Sequence, residues 1–272
     1  MPGLQRRVSD LLSGDAVRTV RYIPRIVARV RNWPQFLITY MRLSERPAVY
    51  RLRRGDTRIL ARSGVDVSTI AVIFIKEDYG ADVGGRVIVD VGANIGVFAL
   101  FAAADPEARV YAYEPVGATY GQLRQNVELN GLAGRVKTFN LGVTGRSERR
   151  AIHVSPHGSP FSTLYGGDGA PTEEIECVGL ETVFAENGID RCDLLKLDCE
   201  GAEFEILFGA PPEVLGRIGR ICVEYHEQPD HPEFRRPALV EHLARQGFRV
   251  TGEVRDEDNC GTLWLVREGL AG

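Results

Sequence analysis

The sequence of 272 residues has no apolar run near the roughly 20 residues that a membrane-spanning helix needs. Its N-terminus is charged but lacks the apolar centre of a secretory signal. The five cysteines are an odd number without a CxxC pair, and several lie in apolar runs, as is typical of reduced, buried thiols. A formal net charge of only -4 argues against a dedicated nucleic-acid-binding protein. We therefore expect a cytoplasmic protein without a nucleic-acid partner.

Acidic residues are scarce at the N-terminus. Residues 1–46 contain nine arginines against Asp10, Asp15 and Glu45, which leaves the remainder of the chain acidic. Apolar residues recur in this segment at helical spacing, and most arginines fall elsewhere on the helical wheel. The apolar residues are Val17, Val20, Ile23, Val27 and Val30. The pattern predicts basic helices that pack on the core; contact of the arginine face with a membrane surface or a partner is the alternative.

Three segments are predicted along the chain. Residues 1–46 form a basic helical extension, residues 47–85 form a hairpin and helix that cover the start of a sheet, and residues 86–272 form the main domain. The elements predicted in the second segment are strands 48–53 and 58–62, around the turn Gly55-Asp56, and a helix at 68–76.

From Arg86 onward, strand patterns alternate with helix patterns. The predicted strands are 87–91, 109–113, 136–140, 193–197, 220–225, 248–254 and 261–266. The predicted helices are 97–104, 117–130, 180–187, 202–208 and 237–246. The alternation predicts a Rossmann-like α/β fold with a doubly wound, mostly parallel seven-stranded sheet that ends in an antiparallel hairpin. Residues 143–179 interrupt the alternation and are interpreted as a loop insertion.

The segment from Asp90 to Gly96 (DVGANIG) follows the first strand of the main domain. Gly92 and Gly96 allow a tight turn into a helix whose N-terminus faces a ligand, and Ala93 in this turn is predicted to contact that ligand. A pyrophosphate cofactor normally uses the three glycines of GxGxxG, but here Asn94 replaces the second, and Asp90 would repel a phosphate. Both departures favour S-adenosylmethionine, which carries a sulfonium and an ammonium and has no phosphate.

The next strand ends in Tyr113-Glu114-Pro115. A carboxylate at this position can accept hydrogen bonds from both ribose hydroxyls. The two strand ends together predict a nucleotide-type cofactor at one edge of the sheet. The alternatives are a nicotinamide-dependent oxidoreductase, which Asn94 and Asp90 disfavour, and a noncatalytic binding protein, which the acidic residues at later strand ends disfavour.

Five runs of the sequence carry a resemblance to a known family: IVDVGANIGVFAL, AYEP, LRQNVELN, LLKLDCEGAEFEIL and VEYHE. They extend from about Ile88 towards the C-terminus and resemble the FkbM family of methyltransferases. The resemblance implies a class I methyltransferase fold and methylation of a hydroxyl oxygen, often on a sugar or a polyketide-derived natural product. It also implies cofactor contacts from Asp90, Gly92, Asn94, Gly96 and Glu114, with Asn140 and Gly142 bordering the adenine.

Acidic residues and a histidine follow two later strands. Asp198 and Glu200 end one strand, while Glu224 and His226 end another. Because ligands bind beyond the carboxyl ends of such strands, these side chains should converge on the sulfonium side of the cofactor. O-methylation needs a base for the hydroxyl proton, and His226 is the natural choice because imidazole is largely neutral at pH 7. Asp198 could instead be the base, or could orient the substrate or the methionine ammonium.

A metal site is the alternative interpretation of this cluster. Asp198, Glu200, Glu224 and His226 could hold magnesium, which lowers the pKa of a bound hydroxyl. Magnesium prefers an all-oxygen shell with several waters, so the metal-free base is favoured. Lys196 alternates away from its apolar neighbours and either pairs with one of these acids or forms a buried salt bridge.

The run from Ser155 to Thr172 is rich in glycine, proline, serine and threonine. A loop of this length is often functional. Ser162 and Tyr165 offer hydroxyl hydrogen bonds and Phe161 offers a stacking face, so these residues are predicted to contact a small-molecule hydroxyl acceptor. A merely flexible insertion is the alternative.

Overall fold

The computed structural model describes residues 21–77, 79–80, 83–154, 162–164, 171–228, 231–255 and 259–269. Within them the strands are β1 (Ala48–Arg51), β2 (Arg58–Ala61), β3 (Val87–Val91), β4 (Arg109–Tyr113), β5 (Val136–Phe139), β6 (Gly142–Val143), β7 (Glu148–His153), β8 (Thr172–Val178), β9 (Leu194–Leu197), β10 (Arg220–His226), β11 (Phe248–Arg255) and β12 (Cys260–Arg267). The α-helices are α1 (Ile23–Arg29), α2 (Trp33–Tyr40), α3 (Gly64–Ile70), α4 (Val97–Ala102), α5 (Gly117–Leu129), α6 (Leu180–Asn187), α7 (Glu203–Gly209), α8 (Pro212–Leu215) and α9 (Arg236–Arg245). A π-helical segment, Ala71–Lys76, continues α3, and a short 3-10 turn, Arg54–Asp56, joins β1 to β2. None of these helices has the length and apolar character needed to cross a membrane.

A seven-stranded sheet forms the centre of the main domain, in the order β11-β12-β10-β9-β3-β4-β5. Strands β3, β4, β5, β9 and β10 are parallel, whereas β12 runs antiparallel to β10 and β11 runs antiparallel to β12. The predicted doubly wound sheet with an antiparallel C-terminal hairpin is therefore confirmed. The strand order reverses between β3 and β9, and sheets of this type bind ligands beyond the carboxyl ends of the strands at that point.

Apolar side chains of the sheet pack against helices on both faces. On one face, Ile88 and Val110 pack with residues of α4, α5 and the N-terminal elements. On the other face, Val89 and Leu195 pack with residues of α6, α7 and α9. Ile88 and Val89 are neighbours in β3, so the continuous apolar run of this strand reflects a strand that is covered on both sides.

The insertion over 143–179 contains strands where the sequence predicted a loop. β6 pairs in parallel with β8, and β7 pairs antiparallel with β8. These strands are hard to recognise because few of their apolar side chains are buried and their outer side is charged, as at Arg149 and Glu176, whose side chains lie 2.9 Å apart. Of the predicted loop, residues 155–161 and 165–170 lie outside the described residues.

The N-terminal elements pack on the same face of the sheet as α4 and α5. Ile26, Val30 and Phe36 are completely buried and belong to the core cluster that also contains Ile88. The ring of Phe36 meets that of Tyr50 edge to face, with 5.2 Å between ring centroids. These elements therefore contribute to the core of the main domain.

Helix α3 begins at Gly64, four residues before the predicted start. Ser63 caps it, because its hydroxyl accepts a hydrogen bond from the backbone amide of Asp66 at 3.2 Å, and Asp66 also places a negative charge in the first turn. The sequence prediction followed the apolar residues alone and did not use this cap.

Asn126 of α5 ties the β1–β2 hairpin to the turn after β3. Its carboxamide oxygen accepts a hydrogen bond from the backbone amide of Leu60 at 2.7 Å, and its amide group donates to the carbonyl of Ile95 at 2.9 Å. Because Asn126 is completely buried, the hairpin is fixed against the main domain.

Candidate active site

A cavity of about 560 Å³ lies beyond the carboxyl ends of β3, β4, β9 and β10. Its volume is within the range of small-ligand sites. Residues of the turn after β3 and of the end of β4 line one wall, and acidic residues that follow β9 and lie in β10 line another. The π-helical segment and the C-terminal hairpin complete it. Residues that line the cavity include Gly92, Asn94, Glu114, Pro115, Val116, Asp198, Glu200 and Glu224.

The turn after β3 is as tight as its glycines predict. Gly92 has a φ of 73°, and a Cβ at this position would lie 1.8 Å from the carbonyl oxygen of Asp198. Asn94 also has a positive φ, of 50°, and its backbone amide donates to Oε2 of Glu114 at 2.9 Å. The carboxamide oxygen of Asn94 is buried without a hydrogen-bond partner among the described residues. A donor group of a ligand in the cavity would satisfy this oxygen.

Ala93 and Gly96 belong to the same turn but do not line the cavity. The backbone amide of Ala93 donates to the carbonyl of Tyr113 at 2.9 Å, which joins the turn to the end of β4. Gly96 has a φ of 88°, and a Cβ there would lie 2.5 Å from Cδ1 of Leu123 in α5. Both residues therefore shape the turn, and their direct contact with a cofactor stays a prediction.

Glu114 is a buried carboxylate at the cavity wall. Its Oε1 accepts a hydrogen bond from the backbone amide of Val116 at 3.0 Å, and its Oε2 accepts one from Asn94 at 2.9 Å. Burial raises the pKa of Glu114 to about 7, although both amides oppose the shift. Each carboxylate oxygen retains a lone pair, so the position suits the hydroxyl contacts that the sequence predicts for Glu114. Pro115, predicted as a further cofactor contact, also lines the cavity.

Asp90 lies beneath the turn instead of at the cavity surface. It is completely buried, and its Oδ1 is 3.2 Å from Nζ of Lys196, its register neighbour on β9. Nζ of Lys196 also lies 3.5 Å from Oδ2 of Asp198 and donates to the carbonyl of Gly92. Burial by itself would lower the pKa of Lys196, but the charges of the two aspartates hold this pKa above its ordinary value. Lys196 therefore compensates the buried charge of Asp90, and contact of Asp90 with a cationic cofactor stays a prediction.

Asn140 and Gly142 are not among the residues that line the cavity. The amide group of Asn140 donates to the carbonyls of Glu114 at 3.0 Å and of Pro115 at 2.8 Å. Gly142 pairs with Cys177 in the small sheet. Asn140 therefore holds the Glu114 segment in place, and the predicted border with an adenine ring does not follow from these positions.

Asp198 and Glu224 meet at the hydroxyl of Tyr79. This hydroxyl lies 2.9 Å from Oδ2 of Asp198 and 3.1 Å from Oε2 of Glu224. The negative charge of Asp198, together with burial, raises the pKa of Glu224 to about 7. Burial and the two carboxylates raise the pKa of Tyr79 well above its ordinary value, so this side chain stays a proton donor. A carboxyl group with a pKa near 7 is suited to accept a proton at neutral pH.

His226 lies between two glutamates at the end of β10. Its Nδ1 is 3.2 Å from Oε1 of Glu203, and its Nε2 is 3.7 Å from Oε2 of Glu200. Burial lowers the pKa of His226, but the hydrogen bond and charge of Glu203, with the charge of Glu200, raise it to about 10. Because of this raised pKa, the expectation that His226 is neutral at pH 7 is wrong. A protonated imidazole cannot accept a further proton, so His226 is not suited to be the base.

Glu203 fixes the loop that follows β9. This carboxylate is completely buried and accepts hydrogen bonds from the backbone amides of Cys199 at 2.8 Å and of Gly201 at 3.0 Å. Glu200, between them, has a positive φ of 54° and lines the cavity. Burial, opposed by His226 and supported by nearby carboxylates, raises the pKa of Glu200 to about 8. Glu200 therefore holds its proton to a higher pH than an exposed glutamate does.

The alternative magnesium site does not fit these side chains. Oδ2 of Asp198 already faces the ammonium group of Lys196 at 3.5 Å, and His226 offers nitrogen, whereas magnesium prefers oxygen ligands. Within the part of the chain that the structure describes, no group of three or more His, Cys, Asp or Glu side chains is arranged to hold a metal ion. No step proposed below uses one.

Ser162 lies at the cavity, as the loop pattern predicted. It is nearly buried and lines the cavity, while the hydroxyl of the adjacent Thr163 donates to the carbonyl of Glu200 at 2.7 Å. This part of the loop is thus attached to the acidic wall. Phe161 and Tyr165 lie outside the described residues, so their acceptor contacts stay a prediction.

Tyr79 and Trp264 line the cavity although no motif contained them. Tyr79 precedes Asp198 by 119 positions, so no sequence pattern connects the two. Trp264 could have been found from β12, where Leu263 and Leu265 are buried in the core on one face. The intervening residue must then lie on the opposite face of the sheet.

Residues 90–250 match the family described as Methyltransferase FkbM domain. AMB antimetabolite synthetase AmbE of Pseudomonas aeruginosa is 29% identical to this chain, over 73% of the chain and 11% of AmbE. Methyltransferase sdnD of Sordaria araneosa is 30% identical, over 60% of the chain and 74% of sdnD. The 31-O-demethyl-FK506 methyltransferase FkbM of Streptomyces tacrolimicus is 32% identical, over 53% of the chain and 66% of that protein. The matched residues span only a small part of AmbE and 66% to 74% of the other two.

Proposed function

This chain belongs to the FkbM family of methyltransferases, and we propose that it uses S-adenosylmethionine to methylate a hydroxyl oxygen of a small molecule such as a sugar or another natural product. The observation that carries this function is the cavity in which Asn94 and Glu114 stand on one wall and Asp198 and Glu224 on another. The first wall suits a nucleoside, and the second suits removal of a hydroxyl proton.

The residues suited to hold S-adenosylmethionine surround the turn after β3. When bound, this cofactor supplies a methyl group on a positively charged sulfur. Asn94 offers a buried oxygen that lacks a donor, and Glu114 offers carboxylate oxygens for ribose hydroxyls. Pro115 and Val116 add apolar surface beside them. Asp198 places negative charge in the same cavity, which favours a cationic ligand.

Glu224 is the proton acceptor in this proposal. The acceptor hydroxyl would lose its proton to the Glu224 carboxylate while its oxygen forms the new bond to the methyl carbon. The bond between that carbon and sulfur would break at the same time, so the products would be a methyl ether and S-adenosylhomocysteine. Asp198 keeps the pKa of Glu224 near 7, and Tyr79 holds both carboxylates in place. His226, protonated and bonded to Glu203, acts as a positioning residue for Glu200.

The acceptor end of the cavity combines hydroxyl and carboxyl groups with an aromatic face. Glu200 and Ser162 can hydrogen-bond to hydroxyl groups, and Trp264 offers a ring for an apolar or sugar face. The name of the relative FkbM gives a 31-O-demethyl compound as its substrate, which supports oxygen as the methylated atom. Phe161 and Tyr165 remain predicted acceptor contacts.

We place this reaction in the cytoplasm. Cys177, Cys192 and Cys222 are buried thiols. Burial raises the pKa of Cys177 to about 11 and those of Cys192 and Cys222 to about 12, which keeps them unreactive. Buried, protonated thiols suit a reducing compartment.

Isothermal titration calorimetry tests the cofactor assignment. S-adenosylhomocysteine should bind one site per chain with a micromolar dissociation constant, whereas NAD should show no comparable binding. The acceptor assignment is tested by mass spectrometry of hydroxylated compounds incubated with the enzyme and S-adenosylmethionine. Tight NAD binding without S-adenosylhomocysteine binding would instead indicate a nicotinamide-dependent enzyme.

A further inference from the structure

Positive charge is concentrated in the N-terminal cover, which we define as residues 21–62. The cover contains eleven arginines and two acidic residues, whereas the whole chain has a net charge of -4. Nine of the arginines are exposed: Arg21, Arg25, Arg31, Arg42, Arg46, Arg51, Arg53, Arg58 and Arg62. Of these nine, Arg31 alone is paired with a carboxylate among the described residues, that of Asp56 at 3.1 Å. The cover therefore presents uncompensated positive charge to its surroundings.

Large apolar side chains are exposed on the same cover. Among the described residues, most of the exposed large hydrophobic side chains belong to it: Val27, Trp33, Ile38, Leu43 and Val49. Their exposed fractions are 37% to 47%. Exposed apolar groups collected in one segment usually mark a surface that meets a partner or a membrane.

The outer face of the β1–β2 hairpin shows both features together. Val49 and Arg51 are exposed on either side of the buried Tyr50, so they share the outer face. In the hairpin register Arg51 stands directly opposite Arg58. Like charges in directly opposed positions destabilise a hairpin, and here the guanidinium group of Arg58 donates to the carbonyl of Leu129 at 2.6 Å.

We propose that the N-terminal cover binds the surface of an anionic lipid bilayer, with the arginines on lipid phosphates and Trp33, Ile38 and Leu43 among the headgroups. The planar guanidinium group of arginine matches a phosphate with two hydrogen bonds. Tryptophan is favoured at the boundary between water and lipid. Segments that combine basic residues with large apolar side chains bind in the plane of this boundary.

Two features favour a lipid surface over other anionic partners. A nucleic acid offers phosphates but no apolar phase for Trp33 or Leu43. A protein partner concentrates binding in a compact group of anchors, whereas the exposed apolar side chains here are distributed over α1, α2, β1 and the segment between the last two. A broad surface that is both anionic and apolar matches this distribution.

The cover is connected directly to the wall of the cavity. Arg29 of α1 donates to the carbonyl of Phe74 at 2.8 Å and forms a 2.9 Å ion pair with Glu77. Val72 and Lys76, in the same π-helical segment as Phe74, line the cavity. The cover is therefore packed directly against a segment that lines the cavity.

Vesicle co-sedimentation of the full chain tests the proposed contact between the arginines of the cover and lipid phosphates. Vesicles of equal parts phosphatidylcholine and phosphatidylglycerol should bind the protein, and vesicles of phosphatidylcholine alone should bind it far less. Each arginine near an anionic surface strengthens partitioning about fivefold, so the triple variant Arg42→Gln/Arg46→Gln/Arg51→Gln should weaken it by about 100-fold. The matched control Arg109→Gln/Arg217→Gln/Arg245→Gln removes three exposed arginines elsewhere and should bind as the wild type does.

Tryptophan fluorescence tests the proposed insertion of the apolar side chains among the lipid headgroups. The chain contains two tryptophans, so Trp264→Phe leaves Trp33 as the single reporter. On mixing with the anionic vesicles, its emission should move to shorter wavelength and be quenched by brominated lipids. Circular dichroism of each variant, compared with the wild type, confirms that it is folded.

Three results would overturn the assignment to lipid. The first is equal binding to neutral and anionic vesicles, and the second is equal weakening by the control triple variant. The third is an absence of vesicle binding combined with salt-sensitive retention on poly-glutamate, which would assign the surface to an acidic protein. Unchanged Trp33 emission on vesicles that do bind the protein would contradict the insertion of the apolar side chains.

Discussion

The imidazole of His226 lies 3.2 Å from the carboxylate of Glu203, which has no exposed surface. The same carboxylate accepts hydrogen bonds from the loop after β9, so one buried charge fixes both the loop and the histidine. This relationship decides the chemistry of the cluster. It raises the pKa of His226 to about 10, which is why the proposed function assigns the role of proton acceptor to a carboxylate.

His226→Gln should destabilise the protein by about 3–5 kcal/mol at acidic to neutral pH, because it leaves Glu203 buried without its cation. The pKa of His226 is about 10 in the folded state and about 6.5 in an unfolded chain, so its contribution is complete below pH 6.5 and is lost as the pH rises towards 10. Urea unfolding across this range should show that the difference in unfolding free energy between the variant and the wild type becomes smaller at alkaline pH. A difference in unfolding free energy that does not change with pH would contradict the ion pair between His226 and Glu203.

The turnover number should rise with pH and level off above an apparent pKa near 7, because Glu224 must be ionised to accept a proton. Asp198→Asn removes the charge that raises this pKa, so the midpoint should move to lower pH even though the rate also falls. Glu224→Gln should reduce kcat by about 10²–10⁴-fold with little change in cofactor affinity. A midpoint that stays in place in Asp198→Asn would show that another group accepts the proton.

Lys196→Met should cost about 3–5 kcal/mol of unfolding free energy, because it leaves the carboxylate of Asp90 buried without a counter-charge. The double variant Asp90→Asn/Lys196→Met removes both charges and should recover most of this loss. The four proteins form a double-mutant cycle that is measured by urea unfolding. Simple additivity of the two single effects would contradict a direct pair.

Glu114→Gln should weaken binding of S-adenosylhomocysteine by about 10- to 100-fold. An amide has only one accepting oxygen, and the loss of one hydrogen bond to a charged group costs roughly 1.5–3 kcal/mol. Calorimetry at pH 8, above the pKa of about 7 for Glu114, measures the ionised state. The exposed Glu128→Gln is the matched control and should bind as the wild type does. Equal affinity in the two variants would remove Glu114 from the cofactor site.

Phe36→Ala should lower the unfolding free energy by about 3–5 kcal/mol, as truncation of a fully buried aromatic side chain does. The exposed Trp33→Ala, in the same helix, should have an effect below about 1 kcal/mol. Thermal unfolding of both variants tests whether α2 is part of the core. Equal, small effects would instead describe a loosely attached extension.

Much of the fold follows from local patterns. The bounds of β4 and α6 agree with the predicted ones, because a buried strand and an amphipathic helix carry their periodicity within themselves. The strands of the insertion were missed, since β7 and β8 bury few apolar side chains. The cover was predicted as an extension, yet its Phe36 belongs to the main core.

The sequence by itself determined where the glycine-containing turn after β3 and the acidic strand ends lie, because glycine, asparagine and carboxylate positions are constrained by turn geometry and by charge. Only the tertiary structure decided which of these groups are charged and which face the cavity. The register of β3 against β9 places Lys196 beside Asp90, and the packing of a distant segment brings Tyr79 between Asp198 and Glu224. A pKa depends on burial and on neighbours within a few ångströms. Those neighbours are far apart along the chain, so no local pattern could reveal them.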